Sequence, residues 1–162
     1  MSKKKKALKM NIATDSASFV DIEKYNLPPQ FIEVEITETI MYENAAVLND
    51  LIAKLHMYGI RVAIDDFGSG YSSLVLLRDI KADVLKIDKA FIYKAEKDTV
   101  GKKILSSIIQ LADTLNMQIL AEGVETENQL NMLADLGCHE VQGYLFGKPV
   151  PAQTFAQEFR KD

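Results

Sequence analysis

The sequence predicts an α/β fold, a parallel β/α barrel that is incomplete, with about six of the eight strands such a cylinder needs. Three observations predict it. Short apolar runs alternate with helical patterns along the chain, and regular βα alternation means a parallel sheet. Nearly every run ends in a side chain able to hold a ligand, which is where barrel enzymes keep their functional groups. The rival architecture, a doubly wound open sheet, finds no support: no GxGxxG opens the first unit and no Walker sequence occurs.

The elements follow in order. Ala7–Ile12 is predicted as a first strand. Leu27-Pro28-Pro29 marks a turn, and Phe31–Ile36 (FIEVEI) alternates as a strand does. Asn44–Tyr58 is helical, with Val47, Leu48, Leu51, Ile52 and Leu55 on one face and Gly59 as its stop. Ile60–Asp65 (IRVAID) is the next strand, followed by the glycine-bearing loop Asp66–Tyr71 and a short helix over Ser72–Asp79. Asp83–Ile87 reads as a strand, and Thr99–Asn116 as a long amphipathic helix carrying Ile104, Leu105, Ile108, Ile109, Leu111 and Leu115. Met117–Ala121 is a strand, Thr126–Leu136 a helix stopped by Gly137, Glu140–Gln142 a short strand and Pro151–Arg160 a closing helix. No repeat or second domain is visible, so residues 1–162 are expected to form a single domain with residues 1–6 as a basic, solvated tail.

Composition narrows the chemistry. A formal net charge of -4 argues against a nucleic-acid coat or a general membrane-surface binder, and no DNA partner is expected. A small nucleotide held through metal ions remains compatible, because the metal supplies the positive charge. Cys138 is the only cysteine, which excludes an intrachain disulfide and a thiolate zinc cluster. His56 and His139 are too few for a histidine-rich site. Carboxylates must therefore hold any metal, which selects hard ions such as Mg²⁺ or Mn²⁺. The lysines at positions 3–6 are followed only by Ala7, Leu8 and Met10, interrupted by Lys9, so no stretch is long enough to cross a bilayer and a cytoplasmic location is expected.

The ligand-capable strand ends are Asn11, Glu35, Asp65 with Asp66, Lys86 with Asp88, Glu122 and Gln142. Glu33 and Glu35 lie two apart and share a strand face. A carboxylate facing a packed interior needs a cation or a proton, so Glu35 reads as a metal ligand and Glu33, deeper in the strand, as solvated or structural. The bland alternative is an edge strand with an acidic face. Asp65-Asp66 is the strongest pair, since a turn at a strand end lets both carboxylates address two cations. Two metals about 3.5–4 Å apart clamp a phosphodiester and generate hydroxide between them. The alternative there is a pair of helix caps, but Ser72 and Ser73 already offer caps. The loop Phe67–Ser73 carries two glycines and reads either as a closing flap or as a simple turn.

Lys86 sits among Val84, Leu85 and Ile87, where burial is costly unless carboxylates or phosphate meet it. It either orients water and stabilises negative charge or snorkels at the rim. Asp88 pairs with Lys86 or caps the next element. Glu122 is a candidate ligand or proton acceptor, and Glu125 a loop anchor, with Thr126 as a cap. Gln142 can hydrogen-bond metal-bound water or phosphate, while Tyr144 and Phe146 have core as their usual fate.

In this order these residues resemble the EAL-domain family of cyclic di-GMP phosphodiesterases. The matching runs are EITE (Glu35–Glu38), DDFGSGYSS (Asp65–Ser73), LKID (Leu85–Asp88), AEGVE (Ala121–Glu125) and QGYLFGKP (Gln142–Pro149), from about Leu27 to the C-terminus. The resemblance implies a TIM-like barrel with one antiparallel strand and hydrolysis of cyclic di-GMP to pGpG with Mg²⁺ or Mn²⁺ at a two-metal site. It makes Asn11, Glu35, Asp65, Asp66 and Glu122 metal ligands, with Lys86, Glu122 and Gln142 as the catalytic set. Glu38 and Glu125 steady the loops.

The sequence also departs from the family. Ala13 stands where a serine is usual and Ser69 where a threonine is usual. The signature Glu-Ala-Leu segment, whose glutamate is a metal ligand, does not occur, nor does the strand before it. Six strands leave open edges, which implies a homodimer, a completing protein partner or a rearranged N-terminus. Two readings follow: a phosphodiesterase with an incomplete first part, and an inactive module that binds cyclic di-GMP or a protein partner.

Overall fold

A computed structural model describes residues 26–37, 40–41, 45–68 and 74–159. Among them, five strands form one wholly parallel sheet in the order of the chain. They are β1 (Glu33–Thr37), β2 (Arg61–Phe67), β3 (Val84–Ile87), β4 (Gln118–Glu122) and β5 (Glu140–Gln142). Between and after them run α1 (Ala45–Met57), α2 (Leu74–Asp79), α3 (Lys89–Lys97), α4 (Thr99–Thr114), α5 (Glu127–Asp135) and α6 (Ala152–Phe159). A doubly wound sheet reverses its strand order at a switch point, and this one does not. Sequential order with right-handed crossovers puts the helices on one face and leaves the other to a barrel interior. The five described strands do not close a barrel, and β1 and β5 are the outermost of them. The strand expected over Ala7–Ile12 lies outside the described residues.

Strand periodicity sorts the side chains. Val34 and Ile36 of β1, Val62 and Ile64 of β2, and Leu85 and Ile87 of β3 alternate onto the helix side, where all are buried. Leu48, Ile52 and Leu55 of α1 and Leu105, Ile108, Ile109 and Ala112 of α4 complete that core. Truncating one such leucine to alanine costs about 2–5 kcal/mol. The opposite face holds Glu35, Ala63, Asp65, Lys86, Glu122 and Gln142, which register places on adjacent strands. Glu33 on that face lies 3.8 Å from Arg61, the structural contact expected of it.

Three elements differ from the sequence reading. Residues 89–97, to which the sequence reading assigns no element, form α3, with Asp88 as N-cap accepting from the Ala90 amide at 2.8 Å. Asp98 then ends α3 and caps α4, accepting from the Val100 and Gly101 amides. The stripe buried by α3 is only Ile92 and Ala95, too short to stand out as a period. β2 also runs two residues further than expected, through Phe67. Asp65-Asp66 thus sits inside the strand, where the pairing with β3 shifts register between Ile64 and Phe67 and Asp66 adopts φ 54°. A bulge takes the place of the expected turn. The third is β1, which begins at Glu33 after a 3₁₀ turn over Pro29–Phe31.

Candidate metal centre

The centre lies at the C-terminal ends of the strands. Lys86 comes from the middle of β3, a strand buried along its whole length. Its ammonium Nζ donates to Glu35 Oε1 at 2.6 Å and Asp65 Oδ1 at 2.8 Å, and pairs with Glu122 Oε1 at 2.8 Å. One cation from β3 thus meets carboxylates from β1, β2 and β4. The side chains of Lys86, Asp65 and Glu35 are 4–6 % exposed and that of Glu122 23 %. The rim-snorkelling alternative for Lys86 is excluded by this burial.

Burial pulls the Lys86 pKa down, but the hydrogen bonds to Asp65, Glu122 and Glu35 outweigh it and hold the ammonium above its ordinary value. Lys86 therefore stays charged and serves as a donor, never as a base. Glu122 moves up. Burial is the largest cause, the Lys86 hydrogen bond and charge oppose it, and the charges of Asp65 and Glu35 add to it.

The bulge turns Asp66 towards the same region. Carboxylate oxygens of Asp65, Asp66 and Glu122 all lie within 4.8 Å of one another. Three carboxylates, those of Glu35, Asp65 and Glu122, meet one ammonium and Asp66 lies beyond them, so among the described residues negative charge is in excess. All donors are oxygen, the set that suits Mg²⁺ or Mn²⁺. The donor chemistry and the charge surplus fit a divalent ion.

Two glycines let helix α3 reach the acid-bearing loops. Gly68 (φ +93°) follows Asp65-Asp66-Phe67, and a Cβ there would meet the Phe91 ring at 1.6 Å. Gly123 (φ +69°) follows Glu122, and a Cβ there would lie 2.6 Å from Lys89 Cβ. Any larger residue would push α3 off the centre.

Gln142 pairs with Glu122 in the β4–β5 ladder and is exposed. Glu125 is exposed too. It contributes its backbone amide to Gln129 Oε1 at 2.8 Å, while Thr126 caps α5. Asp88 is a helix cap and makes no pair with Lys86 among the described contacts. Tyr144 and Phe146, expected in the core, are 57 % and 49 % exposed. Asn11 and Glu38 lie outside the described residues. Sequence reasoning passed over Gln129, although Thr126-x-x-Gln129 before an apolar run is a capping-box signature.

Fold and site together define a β/α-barrel-type domain with an acidic cluster, of a kind able to hold a metal ion, at the C-terminal ends of its strands. The chain belongs to the EAL domain family, whose family model matches residues 7–149, further towards the N-terminus than the quoted motifs reach. It is 40% identical over 136 residues to the signaling protein YkoW of Bacillus subtilis, covering 84% of this chain and 17% of that protein. It is 42% identical over 130 residues to the bifunctional diguanylate cyclase/cyclic di-GMP phosphodiesterase MucR of Pseudomonas aeruginosa, covering 80% of this chain and 19% of MucR. The chain thus spans under a fifth of the length of these two curated relatives. Its fold matches the solved PaMucR phosphodiesterase in complex with c-di-GMP with a TM-score of 0.80 at 37% identity, over 92% of this chain and 63% of that one. Among the described residues no helix is long and apolar enough to cross a membrane.

Proposed function

We propose that this chain is a metal-dependent phosphodiesterase domain that hydrolyses cyclic di-GMP to linear pGpG. The observation that carries the reading is the meeting of Asp65, Asp66 and Glu122 oxygens within 4.8 Å beside the buried Lys86. The name of MucR as a cyclic di-GMP phosphodiesterase and its solved c-di-GMP complex supply the substrate.

Asp65, Asp66 and Glu122 would hold Mg²⁺ or Mn²⁺, with Glu35 and Asn11 as the further ligands. When bound, the metal would lower the pKa of a water and offset charge on the phosphodiester. Water oxygen attacks phosphorus, the bond from phosphorus to the ribose 3′ oxygen breaks, and the 5′ phosphate stays with pGpG. Glu122 would take the proton from the attacking water. Lys86, permanently charged, orients that water and the carboxylates around it. Gln142, opposite Glu122, hydrogen-bonds the phosphate or a water. Glu38 and Glu125 steady the adjoining loops. A second copy or another protein chain along the open sheet edges belongs to the same reading.

Purified protein with Mn²⁺ and cyclic di-GMP should yield pGpG on ion-exchange chromatography. Absence of product in wild type, with the dinucleotide still bound in equilibrium dialysis, would replace the enzyme by a binding module.

A further inference from the structure

Glu122 reaches the centre from the last residue of β4, and Gly123-Val124-Glu125 then joins it to α5. The strand pairing reaches only as far as the Val124 amide once β4 ends, so the loop's position depends on a few contacts. Val124 is one: its amide donates to the Gln142 carbonyl at 3.0 Å, and its carbonyl accepts from the Leu145 amide at 3.0 Å. Gln129 is the other. Its side chain is among the few buried polar groups, 7 % exposed. Oε1 accepts from the amides of Glu125 at 2.8 Å and Thr126 at 3.2 Å, and Nε2 donates to Glu96 Oε2 of α3 at 3.0 Å. The Gln129 amide therefore joins the loop after Glu122 to the helix whose first turn packs against Gly68 and Gly123.

Helix capping alone explains only half of this. A capping box is served equally by Glu or Gln at this position. The contact with Glu96 is not: it needs a donor, and a carboxylate there would face another carboxylate.

We propose that Gln129 is a positioning residue for the metal centre, holding the Gly123–Glu125 loop against α3 so that Glu122 stays in line with Asp65 and Asp66. The inference rests on the phosphodiesterase reading for its kinetic readout but not for its metal-binding readout. Gln129→Leu removes both halves of the link. Gln129→Glu keeps the acceptor and loses the donor. Glu96→Gln combined with Gln129→Glu exchanges the two groups and restores a donor–acceptor pair.

The experiment is Mn²⁺ titration calorimetry and steady-state kinetics on the full chain for wild type and all three variants, with thermal melting alongside. Gln129→Leu should weaken Mn²⁺ binding and lower kcat by about tenfold each, with KM for cyclic di-GMP within about twofold, as loss of a group that orients a metal ligand does. Gln129→Glu should fall between, and the exchanged pair should return to within about twofold of wild type. Should Gln129→Leu fail to fold, the Gln129→Glu variant and the exchanged pair carry the test. Lower melting temperatures with Mn²⁺ affinity and kcat unchanged would overturn the proposal, as would an exchanged pair no better than Gln129→Glu. A wild type that binds Mn²⁺ without turnover sinks the phosphodiesterase reading and leaves Gln129 to be judged by calorimetry. A wild type that binds no Mn²⁺ overturns both.

Discussion

Charged groups gather at both ends of the strands, and the two clusters obey different rules. At the N-terminal end, Arg61 donates to Gln118 Oε1 at 2.6 Å and lies 3.8 Å from Glu33. Beside it, Asp83 accepts from the Val62 amide at 2.7 Å and meets His56 at 2.8 Å. Each group there finds a partner of opposite charge or complementary hydrogen-bonding role. At the C-terminal end, one lysine serves Glu35, Asp65 and Glu122, with Asp66 beyond it. In the first cluster each group has its own hydrogen-bond or ion-pair partner, and those contacts join strands. The second holds more negative charge than Lys86 alone offsets among the described residues, an arrangement that a bound cation would relieve. Surplus of one sign around a single cation at the ligand-binding end of a parallel sheet marks function, while one-to-one pairing at the opposite end marks structure.

Removing a ligand tests this contrast most severely. Asp65→Ala should abolish pGpG formation and Mn²⁺ binding, both measured on protein shown to be folded by circular dichroism. Retained turnover would mean that the acidic cluster is not the centre.

Lys86→Met comes next. It leaves three carboxylates without their counter-charge and should cost about 3–5 kcal/mol in urea unfolding of the metal-free protein. Mn²⁺ should restore part of that loss by supplying the missing charge. Equal stability with and without Lys86 would erase the distinction between the two ends.

At the N-terminal end, Arg61→Met should lower stability by only about 1–2 kcal/mol and leave kcat and Mn²⁺ affinity where they were. A large fall in kcat would show that the two clusters are coupled.

The smallest effect concerns Glu122. Its pKa is raised, mainly by burial, so the folded state keeps this proton more tightly than the unfolded chain does. That contribution is fully present below about pH 4.3, the ordinary glutamate value, and is lost as pH rises through the folded-state pKa. At neutral pH the ionised carboxylate is a cost. Glu122→Gln should thus raise the melting temperature of the metal-free protein slightly at pH 7, with the gain shrinking on acidification, while Mn²⁺ binding weakens. A lower melting temperature at pH 7 would show that the Lys86 pairing, and not burial, dominates at this residue.

Much of this was readable in the sequence. The strands β1 to β5 stood out because buried parallel strands are continuous or alternating apolar runs, and Glu35, Asp65, Lys86 and Glu122 stood out because charge in such runs needs a reason. What one-dimensional pattern could not carry was partnership. Lys86 meets Glu35 across 51 residues and Asp65 across 21. Spacing says that a side chain faces inward, and only the register between strands says what it meets there. Helix α3 escaped notice because its buried stripe is two residues, and the Asp66 bulge because it depends on pairing with β3.

By itself, then, the sequence determined the parallel βα order, the apolar face of each element and the stock of carboxylates at the strand ends, all of which follow from local periodicity and residue chemistry. Tertiary structure alone decided that three of those carboxylates converge on one buried ammonium, that Asp66 turns to join them, and that Gln129 ties their loop to α3. The reason is that electrostatic and hydrogen-bond energies depend on distance in space, which a linear order of residues does not contain.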